Sequence, residues 1–507
     1  MIRAVAFTNA RLGTPGGHVP RGAGVLVRDG KIERVLDAAP TGIGADVEVV
    51  DCRGGALYPG FHDCHMHLTG TGLIAGEHDI GRCADVPSIL AQVSRLQEPL
   101  IFAGPYEDQR LAENRPPLRK ELDSVTGARP CLLSRIDGHS CVVNSAAAAL
   151  FGVEALAGAE RDGDGTLTGR LFEAANYAAQ NAMFASLPAD ALRRADERAA
   201  RMALEAGITT VHNVIEGDAQ LDQLQSVYRA NAGLPVRVIS KSCTHSVAKA
   251  RALGGRLFGG DIFLDGSIGS RTAAVQGDYC DDPLRGHGKL YVTREHLTEL
   301  FDEAAEAGLS LGVHAIGDRA IEEAIAAWET VIAKRGPLPG LRPSIDHFEI
   351  AHPDQIARAA RCGLFLSMQP AFDHLWGGEN GMYAARFGSE RALAMNLFAS
   401  ARRAGCIVCG GSDSPVTKLS ALLGMHSLVN HHVAAERYSI DDALRAYTAD
   451  AAMLAYEESE RGTIAPGMAA DFAILERPLD EAAPHEIKDI AVTMTVIAGE
   501  VRYAAAL

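Results

Sequence analysis

Residues 309–347 read LSLGVHAIGDRAIEEAIAAWETVIAKRGPLPGLRPSIDH, and this stretch decides the fold. A short apolar run, Leu309 to His314, gives way to a helical stretch rich in Ala, Glu and other good helix formers, Arg319 to Lys334, and then to a second run, Pro343 to His347. Strand, helix, strand in that rhythm is the repeating unit of parallel α/β folds. Working outward, the same alternation extends from about residue 190 to about residue 455. It places further strands at Gly207 to His212, Pro235 to Ser240, Asp261 to Asp265, Gly363 to Met368 and Cys406 to Gly410, with helices at Ala189 to Ala206, Thr293 to Ala307 and Glu390 to Ala404. Gly55 to Phe61, read as the first strand, completes eight. The spacing predicts a parallel (β/α)8 barrel of the TIM type. A doubly wound open sheet is the alternative, but no Gly-x-Gly-x-x-Gly fingerprint follows the first strand.

The flanks of this region have another character. Gly24 to Val35 alternates about the Asp29-Gly30 turn, and Asp471 to Leu475, Ile490 to Ile497 and Glu500 to Tyr503 are strand-like around Pro466-Gly467 and Ala498-Gly499. Neither end has enough strands for its own core, so the two ends are expected to pair as one composite β-sandwich, residues 1–54 with 456–507. About 130 residues separate the first strand from the helix leading into the second, too many for a connection. The expected organisation is therefore a barrel of residues 55–75 with 190–455 and an inserted subdomain at 76–189.

Composition narrows the function classes. The chain of 507 residues is 47% hydrophobic and 22% charged, an ordinary globular balance. Acidic residues outnumber basic ones 64 to 48, a net charge of −16 with no long Lys/Arg block, which argues against a nucleic-acid partner. No apolar run is long enough to span a bilayer, and Met1 to Arg11 lacks the pattern of a secretory signal. Ten cysteines in a chain of this length are not a disulfide scaffold. The expectation is a cytoplasmic protein acting on a small molecule, with no nucleic-acid or membrane partner and a homodimer as the expected assembly.

Ionisable residues collect at the C-terminal ends of the proposed strands, the face on which barrel enzymes build their sites. His65 and His67 lie two apart in Phe61-His62-Asp63-Cys64-His65-Met66-His67, so an extended chain turns both to one side. His314 ends the fifth strand, His347 the sixth, and the eighth runs into Gly410-Gly411-Ser412-Asp413-Ser414-Pro415. Four imidazoles and a carboxylate suit a divalent metal, zinc best. Other features carry less. Cys406 and Cys409 lie three apart on a strand and point to opposite faces as core cysteines, while His426, His431 and His432 read as surface or interface residues. No Gly-x-Ser-x-Gly elbow offers a serine nucleophile.

With these motifs in this order, the chain resembles the amidohydrolase superfamily, in particular its amidohydrolase 3, or YtcJ-like, branch. The resemblance also rests on Arg135-Ile136-Asp137-Gly138-His139-Ser140 with Asn144-Ser145, on Gly169 to Glu173, on Asp265 to Ala273, and on Gly462 to Phe472, which is similar to the family's return into its terminal β-sandwich. It implies that His65, His67, His314 and His347 bind one or two divalent ions or contact the bound water, and that Asp413 binds metal and acts as general base, with His347 beside it in the catalytic pair. Chemistry asks for the same parts: a cation that polarises a carbonyl and acidifies water, and a carboxylate that accepts and returns the proton. One position departs from the pattern. Relatives carry a carboxylated Lys where this chain has Asp261, a shorter carboxylate and a candidate ligand, with Lys241 as a neighbouring candidate substitute. His139, Arg271, Gln369 and Trp376 are the candidate substrate contacts. The resemblance implies hydrolysis of a non-peptide carbon–nitrogen bond in an amide, formamide, carbamate or cyclic amide. Alternatives are ring deamination, disfavoured because Gly317 stands where deaminases carry Glu, a non-hydrolytic step such as isomerisation or decarboxylation, and a metal-binding regulator without catalysis.

Overall fold

The computed structural model describes residues 4–14, 17–18, 23–36, 47–215, 233–281 and 286–506. Eight parallel strands carry the centre of the molecule: β1 (Phe61–Met66), β2 (Ile208–Ile215), β3 (Arg237–Ser242), β4 (Leu257–Phe263), β5 (Ser310–Ala315), β6 (Ser344–His347), β7 (Phe365–Met368) and β8 (Ile407–Gly410). Every residue of β1, β2 and β5 is buried, as expected of parallel strands covered on both faces. The helix Asp318–Arg335 shows why the chain folds this way locally. An acid opens it, Lys334 and Arg335 close it, and Ile321, Ala324, Ile325, Trp328 and Val331 form the face it buries.

The strands follow sequence order, but their ladders form two arcs, β1–β2–β3 and β4 through β8, and not one closed ring. Both seams have local causes. Gly259 and Gly260 take φ of +85° and +93°, and the β4–β5 register shifts between Gly259 and Phe263, a bulge that takes this edge out of regular pairing with β3. Across that seam the Asp261 N–H meets Cys243 Sγ at 3.2 Å, and the Cys243 thiol donates to Gly259 O. At the other seam β8 is only four residues long, and the bonds fall beyond it: Asp413 N–H donates to His65 O (2.7 Å) and His67 N–H to Ser414 O (2.8 Å).

The first strand is displaced from its expected position at Gly55 to Phe61. Ala56–Pro59 belongs to a different sheet, and the central strand starts at Phe61. Gly60 makes the transition: its N–H donates to Asp471 O, and a Cβ there would meet the Thr209 side chain at 2.3 Å. The expected helix Glu390 to Ala404 is two helices, Ser389–Ala392 and Phe398–Ala404, broken at Asn396, whose φ is +53° and whose N–H donates to Glu349 O.

Both ends of the chain contribute to one nine-stranded mixed sheet, in which Ala56–Pro59 pairs with Ala4–Thr14 on one side and with Phe472–Leu475 on the other. Phe7 and Phe472 pack edge to face at 5.5 Å in its core. The insertion after β1 builds a separate five-stranded sheet from Ile101–Tyr106 to Leu167–Phe172, followed by the helix Glu173–Ser186. No helix of the described residues is long and apolar enough to cross a membrane.

Candidate metal centre

The C-terminal ends of β1, β4, β5, β6 and β8 deliver their side chains to one place. His65 closes β1 fully buried, and His67 follows at the start of the next helix. The Gly259-Gly260 bulge turns Asp261 inward, so its Oδ2 lies 3.3 Å from His67 Nε2 and its Oδ1 3.5 Å from His65 Nε2. His67 Nε2 is also 3.0 Å from Asp413 Oδ1, which lies 3.5 Å from His65 Nε2. His347 Nε2 is 3.8 Å from Asp261 Oδ1, and the His314 ring lies 4.4 Å from that of His347. His347, Phe348 and Asp413 all have φ between +54° and +75°, local strain of the kind that collects where a side chain must be aimed.

Two interlocking groups, His65 with His67 and Asp261, and His65 with His347 and Asp413, each bring three ligand atoms within 4.8 Å of one another. Within them, His65 Nε2 and Asp261 Oδ1 are buried without a hydrogen-bond partner, and both ring nitrogens of the neighbouring His314 are likewise unmatched. Orphaned buried polar atoms are costly unless something binds them. Burial would raise the Asp261 and Asp413 carboxyls, but the imidazoles beside them pull both well below the ordinary range, so both carboxyls stay ionised in the cluster. The residues present therefore fit a divalent metal with His and carboxylate ligands.

A second layer holds these ligands in place. Asp346, fully buried, takes His65 Nδ1 at 2.7 Å and Lys241 Nζ at 2.8 Å on the same Oδ2. This directs the His65 Nε2 lone pair into the cluster, the usual role of a carboxylate behind a ligating histidine. Burial alone would depress the Lys241 ammonium, but Asp346 outweighs it and keeps the group above its usual range. Lys241 thus stands as the partner of Asp346. Asp265 accepts the backbone N–H groups of Ala274, Ile316 and Gly317 and lies 3.4 Å from His314 Nδ1. Strand-end spacing pointed to the first layer. Nothing in it pairs Lys241 with Asp346, because those residues meet only through the sheet.

The cluster opens into a cavity lined by His67, His139, Asp261, His314, His347 and Asp413 among others. His139 reaches it from the insertion. Its Nδ1 shares a 2.6 Å hydrogen bond with the Tyr177 hydroxyl, and its ring lies 5.3 Å from that of His314. The loop carrying it is anchored by Asp137, which accepts from Arg135 (2.7 Å), Ser267 Oγ (2.6 Å) and Ser270 Oγ (2.7 Å), an anchor that sequence reasoning missed. Trp376 lines an adjoining chamber, where its Nε1–H donates to Glu107. Arg271 and Gln369 line neither space: Arg271 forms a two-pronged pair with Asp281, and Gln369 Nε2–H donates weakly to Ser367 O. His426 and His431, expected at the surface or an interface, are buried within the chain, because the helix Ala421–Val429 packs against Pro370–Trp376 and Pro484–Asp489 and His431 turns in beside Asp373 (3.4 Å). Cys406 and Cys409 are both buried and unbridged.

Known proteins resemble this chain over nearly its whole length. The chain is 29% identical over 520 residues to the Bacillus subtilis (strain 168) amidohydrolase YtcJ, covering 95% of this chain and 94% of that one. It is 26% identical over 548 residues to the N-substituted formamide deformylase of Arthrobacter pascens, covering 99% and 98%. A metal-dependent hydrolase from Pyrococcus horikoshii OT3 superposes with a TM-score of 0.76 at 24% identity, over 96% of this chain and 99% of that one. The model of the amidohydrolase family matches residues 48–503, and the chain accordingly belongs to that family.

Proposed function

We propose that this protein is a metal-dependent hydrolase of a non-peptide carbon–nitrogen bond in a small molecule, an amide, formamide, carbamate or cyclic amide. The two arcs of parallel strands act in this reading as one (β/α)8 barrel with its site at the C-terminal face. The observation that carries it is Asp413, a buried carboxylate held by His67 at 3.0 Å within the cluster of His65, His347 and Asp261. His65, His67, Asp261, His314, His347 and Asp413 would hold the metal, one or two ions with zinc best suited to the donor set. Such an ion supplies Lewis-acid polarisation of the substrate carbonyl and a more acidic water.

The protein's own groups do the rest. Asp413 accepts the proton of the attacking water on its carboxylate and returns it to the departing nitrogen. His347 and His139 face the same space and orient the carbonyl. The name of the Arthrobacter relative supports a carbon–nitrogen substrate. Ring deamination fits less well: position 317 is Gly, and a Cβ there would already meet Ala274 O at 2.0 Å, so no acidic side chain can stand at that point.

The test is metal content per chain together with a turnover screen of amides, formamides, carbamates and cyclic amides, repeated on Asp413→Asn. Loss of turnover by at least about 100-fold, with the protein still folded, is the expected outcome for removal of a general base. A variant with wild-type turnover, or a metal-free protein that turns over substrate equally well, would sink the reading.

A further inference from the structure

The metal cluster stands at the junction of two chambers. The larger has apolar walls of Leu68, Ile74, Phe102, Phe184, Val214 and Phe263. The smaller is walled by Ile268, Ile316, Phe372, Trp376, Met382 and Val416. Both touch Ile136, His139, His347 and Asp413, so a bond placed at the reacting groups has an apolar space on each side. One acyl or amine substituent would fill only one of them.

Charge sharpens the choice. Among the described residues lining either chamber, Arg135 is the one Lys or Arg, and its guanidinium is held by Asp137 at 2.7 Å and Asp108 at 2.9 Å. Acidic side chains of Glu107, Asp137 and Glu349 line the smaller chamber, Glu349 with its carboxyl pushed up to about 7 by burial. A substrate carboxylate would lose its water there and meet no uncommitted Lys or Arg, which is costly. We propose that the substrate is an uncharged secondary amide with a bulky apolar group on each side of the scissile carbon–nitrogen bond, one group in each chamber. This rests on the hydrolase reading above and names its substrate class.

The experiment compares kcat/KM of the metal-loaded full-length enzyme for N-benzylbenzamide, N-benzylformamide, benzamide and N-benzoylphenylalanine. The two-ring neutral amide should exceed both one-sided amides, and the carboxylate-bearing one, by at least about tenfold, since even a single missing methylene in an apolar pocket is worth that much. Filling one chamber by Met382→Trp, or the other by Ile74→Trp, should lower the ratio of two-sided to one-sided turnover. Preference for a one-sided or anionic amide in the unmodified enzyme overturns the proposal, as does a ratio unmoved by both variants. If none of the four is turned over, the hydrolase reading is decided separately by its own screen, which includes carbamates and cyclic amides. Calorimetry with 1,3-diphenylpropan-1-one, the ketone analogue of the two-ring amide, then decides the chamber claim: binding at least about tenfold tighter than acetophenone supports it, and equal affinity overturns it.

Discussion

Asp346 sits behind the metal cluster and touches two of its supports, His65 Nδ1 and Lys241 Nζ, through one oxygen. Replacing it by Asn keeps the shape and removes the charge, so His65 loses the partner that fixes its tautomer and the Lys241 ammonium stays buried without a carboxylate. Loss of such an outer partner lowers metal affinity by about 10–100-fold. Titration of Asp346→Asn against a competing chelator should show a loss of that size, with the metal still bound at saturating concentration; an unchanged affinity would leave Asp346 a purely structural residue. At this scale the sequence was legible where chemistry follows spacing. His65 and His67 are two apart, and His314, His347 and Asp413 each end or follow a strand. Asp346 was overlooked although it adjoins His347, because its partner Lys241 is 105 residues away and only the stacking of strands brings the pair together.

Elements explain the position of Asp261. A strand read as starting at Asp261 gives no reason for its side chain to face the site; the observed β4 starts at Leu257 and bulges at Gly259-Gly260. The double glycine stands in the sequence just before that expected strand, but its consequence depends on the neighbour strand β5, whose register it shifts. Gly260→Ala tests the bulge. Its φ of +93° disfavours any side chain, and a Cβ there would meet Lys241 Cε at 2.9 Å and Val214 Cγ2 at 3.2 Å. The expected cost is ~1–3 kcal/mol of stability from the strained backbone, read as a lower urea midpoint, together with reduced metal content as Asp261 is displaced. Full metal content with a lowered midpoint would separate the two effects and remove the bulge from the argument about the site. The same dependence on context explains why Gly55 to Phe61 read as one strand: its apolar run is continuous, and only the packing of Thr209 against Gly60 shows where it must divide between two sheets.

For the molecule as a whole, the metal ligands span a boundary that hydrogen bonding leaves open. His65 and His67 come from the three-stranded arc, while Asp261, His314 and His347 come from the five-stranded one and Asp413 follows its last strand. Where β8 meets β1, the ladder is reduced to the Met66–Ser414 bridge and the bonds around it, supplemented by Asp63, which accepts the N–H groups of Ser412 and His65. A cation shared by both arcs would therefore act as the fastener of that seam as well as the reaction's Lewis acid. Binding at a free concentration of 1,000 times Kd stabilises the folded state by about 4 kcal/mol, and that stabilisation should be felt first where backbone pairing is sparse. Removing the metal with a chelator should then lower Tm and raise amide hydrogen exchange at residues 61–67 and 410–415 more than in β6 and β7, whose ladders are continuous on both sides. The two arcs were not legible in the sequence, because eight strands in sequential order read the same whether or not each edge is bonded to the next. Exchange that rises uniformly across β1 through β8 on metal removal would show that the closure is carried by side-chain packing alone. Exchange confined to the seam would tie the metal to the architecture as firmly as to the chemistry.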